Sequence, residues 1–387
     1  MRITIDARYV CDHFPGIGRY VYNLLLALAA LDQPHTLVVL HNPALLNTRH
    51  DLAALARFPA IELVATGARP FSAAEQIAIP WLLHRLRADL YHAPYYVRPY
   101  AGLPCSSVVT LYDAIPRRFP GEVSLRNRVL FDTLTRLAAY VSRRVIAISN
   151  RARDDLIADY GIPADRIAVT QLAADTRFQP QPPESIAAVR VKYALPGRYI
   201  LSLTSNKPHK NLPRLVEAFA QVAGRRSQVT GDDPSLRRAT CDVRLVIAGH
   251  WDPRYLEARE LAERLGLREV VRFLPGVSEA DLPALLSGAE IFAFPSLYEG
   301  FGLPPLEALA CGAPVLCGDT SSLPEVVGDA ALCVDTRSVT ALAGGLAQLL
   351  DDATLRERLR AAGPLRAAQF SWHRTAESTL AVYEGVR

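Results

Sequence analysis

Phe294-Pro295-Ser296-Leu297-Tyr298-Glu299-Gly300-Phe301-Gly302-Leu303-Pro304-Pro305-Leu306-Glu307-Ala308-Leu309 reads as the end of a strand, a turn and the start of a helix. The apolar run Ile291–Pro295 supplies the strand, and Gly300 and Gly302 punctuate the turn. Pro304 and Pro305 then open a helix expected at Pro305–Ala310, where a missing N–H does no harm. Because prolines cannot donate, an anion held at this turn must use the amides of Phe301, Gly302 and Leu303. Glu299 lies at the carboxyl end of the strand, where a carboxylate can accept hydrogen bonds from sugar hydroxyls. Glu307 falls in the first turn of the expected helix, as a ligand contact or as a glutamate that suits the helix dipole.

The same alternation runs outward in both directions. Strands are expected at Arg2–Asp6, Thr36–Leu40, Ile61–Ala65, Asp89–His92, Ser107–Leu111, Arg144–Ile148 and Arg166–Thr170. Helices are expected at Tyr20–Ala30, Ala73–Leu86, Leu125–Val141 and Asn150–Tyr160. The proline-rich Asp175–Ser185 reads as a linker, after which a second α/β series begins at Tyr199. Gly224–Thr240 reads as a polar surface insertion. The 387 residues thus divide into domains 1–176 and 177–370, with a tail, 371–387, that can pack back on the first. Both are doubly wound α/β domains, expected to face a central cleft with ligands outside the carboxyl ends of the strands.

Composition narrows the function. Half the residues are hydrophobic and 21% charged, which excludes disorder as the dominant state. A net charge of +4 does not resemble a nucleic-acid binder. The six cysteines form no C-x-x-C pair and read as reduced thiols of a cytosolic protein. Neither a signal peptide nor a membrane-spanning run is apparent. No Asp-x-Asp, H-E-x-x-H or cysteine spacing suggests a metal, so no metal and no cofactor are expected.

Two further stretches suit phosphate. Gly16-Ile17-Gly18-Arg19-Tyr20 follows the first strand and opens a helix, as an anion-binding turn or simply a tight one. Of the 43 basic residues only Lys192, Lys207 and Lys210 are lysine, and the last two stand in Thr204-Ser205-Asn206-Lys207-Pro208-His209-Lys210-Asn211. A lysine before a helix opposes the dipole unless an anion joins it.

The E-x7-E pattern from Glu299 to Glu307, set in EGFGLPPLEALACGAPV and followed by SSLPEVVGDAA, resembles the retaining glycosyltransferases of family 4. With GIGRY and KPHKN the likeness covers nearly the whole chain and implies the GT-B fold of two Rossmann-like domains. It implies that Glu299 meets the donor sugar near the reacting centre and Glu307 the ribose of the nucleotide. Lys210 and the Phe301–Leu303 amides would hold the diphosphate, joined by Gly16, Ile17 and Gly18 from the other domain. The backbone around Val277 would meet the base.

Two positions depart from the family pattern. Ser205 stands where an arginine is frequent, which shifts phosphate charge to Lys210, helped by Lys207. Tyr112-Asp113 replaces a His-Asp pair, leaving Tyr112 and Asp113 as the catalytic candidates beside Glu299. Tyrosine is a poor acid or base at neutral pH. His92, in LYHAPYY, is a further cleft candidate, with a satisfied structural histidine as the alternative.

The resemblance therefore implies hexosyl transfer, with GDP-mannose as the preferred donor, to a saccharide or lipid-linked saccharide in surface polysaccharide synthesis. The alternatives are a catalytically weak nucleotide-sugar-binding homologue or partner subunit, a UDP-sugar-dependent transferase, and an epimerase of the same fold. Nine arginines from Arg117 to Arg153, against Glu122 and Asp132, suggest either contact with the inner face of a membrane or a solvated helix face.

Overall fold

The short apolar runs form two sets of parallel strands in a computed structural model, which describes residues 1–195, 197–228 and 243–386. These fall into two compact units, Met1–Ala173 joined by the chain from Ser371 onward, and Ala174–Phe370.

In the first unit the strands are β1 (Arg2–Asp6), β2 (Thr36–His41), β3 (Ile61–Ala65), β4 (Leu90–Ala93), β5 (Ser106–Leu111), β6 (Arg144–Ala147) and β7 (Ile167–Val169). They lie in the order β3-β2-β1-β4-β5-β6-β7, all parallel. The crossovers carry α1 (Pro15–Ala30), α2 (Glu75–Arg85), α3 (Ile115–Arg118), α4 (Leu125–Val141) and α5 (Asn150–Tyr160). A sheet covered on both faces needs continuous apolar strands, and Leu37 to Leu40 are accordingly all buried. Strand order reverses between β1 and β4, which marks the switch point where such sheets bind ligands.

The second unit repeats the plan. Strands β8 (Arg198–Leu203), β9 (Val243–Gly249), β10 (Val271–Pro275), β11 (Ile291–Phe294), β12 (Val315–Gly318) and β13 (Ala331–Val334) lie in the order β10-β9-β8-β11-β12-β13. Its helices are α6 (Pro183–Lys192), α7 (Leu212–Gln228), α8 (Glu257–Arg264), α9 (Leu282–Ser287), α10 (Leu303–Ala310), α11 (Leu323–Val327), α12 (Val339–Asp351) and α13 (Ala353–Ala367). Leu215, Phe219, Leu346 and Leu349 from α7 and α12 close over Ile200, Leu245 and Ile247 of the sheet. Here the switch point lies between β8 and β11.

Several boundaries differ from the sequence reading for identifiable reasons. Pro15 and Leu303, each followed by residues that tolerate a first turn, start α1 and α10 earlier than expected. The linker ends early because Pro183 nucleates α6. Helix α7 continues through Gln228, past the expected loop start at Gly224; positions 229–240 of that insertion lie outside the described residues. The terminal helix α14 (Trp372–Glu384), capped by the Ser371 hydroxyl, packs on α1 within the first unit. Among the described residues no helix is long and apolar enough to cross a membrane.

Candidate active site

The second unit's switch point gathers the loops after β8 and β11. They bring Lys210 Nζ to 2.6 Å from Glu299 Oε1, which also accepts from the Ser296 hydroxyl at 2.5 Å. Both side chains are largely covered, and Lys210 lies 5.6 Å from the centre of the Phe294 ring. A covered ion pair says little about stability, because desolvation offsets attraction. It does fix two opposite charges at one place. Glu299 Oε2 accepts no hydrogen bond among the described residues.

Neighbouring side chains hold this loop rigidly. Ser321 Oγ donates to the Glu299 carbonyl at 2.6 Å and accepts from its amide at 3.1 Å. Ser322 Oγ spans the Glu299 and Phe301 carbonyls at 2.9 and 2.7 Å. The lysine loop is tied by Asn211, whose side-chain amide donates to the Pro295 and Thr336 carbonyls. Asn211 has φ of 60°, a left-handed conformation that asparagine tolerates, and it turns the chain between Lys210 and α7. Sequence reading passed over Asn211, Ser296, Ser321 and Ser322, although the first stands beside Lys210 and the second inside the quoted stretch.

Gly302, with φ of 107°, caps α10, and a Cβ there would meet Leu323 Cδ2 at 2.8 Å. The amides of Phe301, Gly302 and Leu303 donate no hydrogen bond among the described residues. With prolines next in line, they are the donors this turn can offer an anion. Glu307 is buried one turn deeper than expected, at the fifth residue of α10, so a first-turn dipole role is withdrawn. Lys207 is exposed and Ser205 half-buried beside it, while Val277 follows β10 with a backbone that makes no hydrogen bond among the described residues. The structure thus brings Ser205, Lys207, Lys210, Glu299 and the 301–303 amides to the β8 and β11 loops, and places Val277 after β10.

The first-unit candidates need more correction. Gly16, Ile17 and Gly18 lie inside the first turn of α1, and the Gly18 amide is spent on the Phe14 carbonyl at 2.7 Å. Gly18 is a packing glycine, since a Cβ would sit 3.1 Å from the Tyr9 carbonyl. Only the Gly16 and Ile17 amides of this trio remain without an acceptor among the described residues. Tyr112 is half-buried just after β5. Its hydroxyl is enclosed without a partner, its ring stands edge-on to Tyr20 at 5.7 Å, and burial holds the phenol well above its usual pKa. Asp113 is half-buried after β5, with Oδ1 accepting from the Ile115 amide.

His92 lies in the interior of the first unit. It is fully buried on β4, with Nε2 2.8 Å from the Thr110 hydroxyl and Nδ1 2.7 Å from the Tyr383 hydroxyl of α14. Burial lowers its pKa to about 3, and the Arg98 charge acts in the same direction. Both ring nitrogens are used in joining the terminal helix to the sheet. Among the described residues no group of three or more His, Cys, Asp or Glu is placed to hold a metal.

Among the described residues, four of the nine arginines of the segment pair with carboxylates, most of which lie just beyond its end. Arg117 and Arg118 pair with Asp132, Asp155 and Asp159, Arg151 with Asp155 and Arg153 with Asp154. Arg126 and Arg128 have no such partner among the described residues, and they share α4 with exposed Leu125, Val129 and Leu130.

The family model described as Glycosyltransferase Family 4 matches residues 15–178, and that described as Glycosyl transferases group 1 matches 189–366. The chain is 31% identical to O-antigen chain mannosyltransferase B of Escherichia coli over 99% of its own length and all of that protein's. It is 32% identical to the MMP alpha-(1->4)-mannosyltransferase of Mycolicibacterium hassiacum, over 69% of this chain and 58% of that one. Among solved structures it is similar to Anabaena HepE in complex with UDP and glucose, with a TM-score of 0.72, 19% identity and full coverage of both chains.

Proposed function

Because the chain belongs to the family 4 glycosyltransferases, we propose that it transfers mannose from GDP-mannose, with retention of configuration, to a saccharide or lipid-linked saccharide in surface polysaccharide synthesis. The mannosyltransferase relatives support the sugar, and the observation that carries the site is the Lys210–Glu299 pair beside the undonated Phe301–Leu303 amides.

In this reading the amides and Lys210 take up the charge that grows on the departing diphosphate, where fixed donors in a covered site act strongly. No metal is then required for that step. Glu299 Oε2 accepts from a donor-sugar hydroxyl, while Ser296 and Lys210 keep Oε1 in place. The acceptor hydroxyl attacks the face that the diphosphate leaves, and its proton passes to the leaving phosphate oxygen. The enzyme mainly orients the reactants. Glu307 is assigned the ribose and Val277 the base. Asp113 belongs on the acceptor side.

Leu125, Val129 and Leu130, interspersed with Arg126 and Arg128, support contact with an anionic membrane face. A lipid-linked acceptor on the cytoplasmic side fits that placement. A catalytically weak homologue has no need for a preformed Lys210–Glu299 pair.

Calorimetry with GDP, UDP, ADP and TDP, without added metal, tests the donor, followed by NMR of the product anomer. Selective GDP binding and an α-linked product from GDP-mannose are expected. Selective UDP binding would replace the donor, and an inverted product would remove the mechanism.

A further inference from the structure

We propose that a cavity at the amino edge of the first unit's sheet is an anion site, in which Arg143, Arg144 and Arg166 take a phosphate monoester and buried Arg98 adds its charge from behind the wall. The proposal goes beyond the glycosyl-transfer reading and uses none of its residues.

Topology supplies the first argument. The cavity holds about 830 Å³, between the chain from Tyr100 to Ser107 that leads into β5, the chain from Tyr140 to Arg144 that joins α4 to β6, and Asp165 and Arg166 just before β7. All three are strand beginnings. Doubly wound sheets bind their substrates at the carboxyl ends of the strands, and this cavity lies at the other edge.

Charge supplies the second. Three arginines and a single carboxylate, Asp165, line the cavity, and none of the three arginines forms an ion pair among the described residues. Elsewhere in the unit arginines find acids, as Arg2 does Glu62, Arg8 does Asp6 and Arg118 does Asp155. Here they are aimed by carbonyls instead. Arg144 Nη1 donates to the Asp165 carbonyl, and Arg166 Nη2 donates to the carbonyls of Ala139, at 2.7 Å, and of Ser142. The remaining donors of both forks find no acceptor among the described residues, and the exposed side chain of Arg143 finds none at all there. A guanidinium fixed by carbonyls keeps its full charge and most of its five donors.

Burial supplies the third. Arg98 is fully buried, 5.5 Å from the centre of the Tyr91 ring. Its Nη1 donates at 2.5 Å to the hydroxyl of Ser142 in the cavity wall, its Nε donates at 3.0 Å to the Pro99 carbonyl, and its Nη2 has no partner. Its charge also acts on the thiol of Cys105, in the same wall. No carboxylate pairs with it among the described residues. A buried charge with an idle donor is costly, and an anion in the cavity offsets that cost.

Ligand chemistry then narrows the class. Guanidinium forks match the oxygens of a phosphate and pair with them two at a time. The cavity is far larger than a bare phosphate ion, so the ligand carries an organic group. A dissolved sugar phosphate and a phosphate-headed lipid share this chemistry.

The test is calorimetry with inorganic phosphate, glucose 6-phosphate and glucose on the full chain carrying Lys210→Ala, which removes the lysine of the second unit's phosphate turn. Both phosphates should bind, and glucose should not. Adding Arg143→Glu, which breaks no side-chain bond among the described residues, should weaken glucose 6-phosphate by about tenfold or more, the scale of a charged hydrogen bond. Arg98→Met should weaken it as well, and intact affinity there would overturn the part given to Arg98. Undiminished binding in Arg143→Glu would overturn the site. Sedimentation with phosphatidylcholine vesicles containing either phosphatidic acid or phosphatidylglycerol reads the lipid source. A preference for the monoester, phosphatidic acid, that Arg143→Glu abolishes would assign the site to a lipid headgroup if the soluble phosphates fail to bind. Equal retention on both lipids together with no binding of soluble phosphate would overturn it.

Discussion

Lys210 and Glu299 stand 89 residues apart in sequence and meet at 2.6 Å because β8 and β11 are neighbours across the switch point. In the unliganded site each charge answers the other. A diphosphate must therefore draw Lys210 from a carboxylate that also repels the incoming anion. Lys210→Ala should weaken GDP binding by roughly ten- to a hundredfold, the scale of a charged hydrogen bond, and lower turnover further. Glu299→Gln should bind GDP at least as well as wild type while losing about a hundredfold or more in kcat. Calorimetry with a coupled GDP-release assay separates the two, and equal losses of binding in both variants would contradict the assignment.

Asn211 holds the lysine loop, and its removal leaves the Pro295 and Thr336 carbonyls without their donor. Loss of two buried hydrogen bonds should destabilise Asn211→Ala by about 2–4 kcal/mol in urea unfolding, with an added cost from alanine at φ of 60°. GDP binding should weaken too, because Lys210 precedes this turn. Intact nucleotide affinity in a destabilised Asn211→Ala would show that the turn does not position the lysine.

The sequence exposed the architecture because period and turn chemistry agree locally: Leu37–Leu40 can only be a doubly covered strand, and Pro304-Pro305 can only precede or begin a helix. The Glu299 turn was legible for the same reason. The surroundings of Tyr112 and His92 were not, since each depends on what folds against it. Tyr383, almost three hundred residues away, occupies one nitrogen of His92, and the Tyr20 and Tyr95 rings pack against that of Tyr112. Part of the charge of segment 117–153 could not be balanced within its limits, because the counter-ions Asp154, Asp155 and Asp159 begin one residue beyond.

Helix α4 leaves Leu125, Val129 and Leu130 more than half exposed while Arg126 and Arg128 stay unpaired among the described residues. Sedimentation with vesicles containing an anionic lipid should retain the wild-type protein at low salt and release it as salt rises, because the attraction is partly screened. Arg126→Glu with Arg128→Glu should weaken retention by about thirtyfold or more, at roughly 1 kcal/mol per basic residue removed near such a surface. Unchanged retention of this double variant would assign membrane contact elsewhere.

His92 gives the first unit an acid sensitivity whose direction is fixed by burial. Its folded pKa of about 3 lies below the ordinary value of 6.5, so the native state binds this proton less readily than the unfolded chain. The stabilising contribution is complete above about pH 6.5 and is lost as pH falls toward 3. Between those limits the group should remove about 1.4 kcal/mol for each pH unit. His92→Gln can bond both Thr110 and Tyr383 without titrating, so its urea-unfolding free energy should vary less steeply than wild type between pH 6.5 and 4. The same variant should keep its turnover at neutral pH, since the imidazole is enclosed by β5 and α14. Lost turnover with unchanged acid stability would return His92 to the reacting groups, whereas a flattened stability profile with normal turnover fixes it as the pin of the terminal helix.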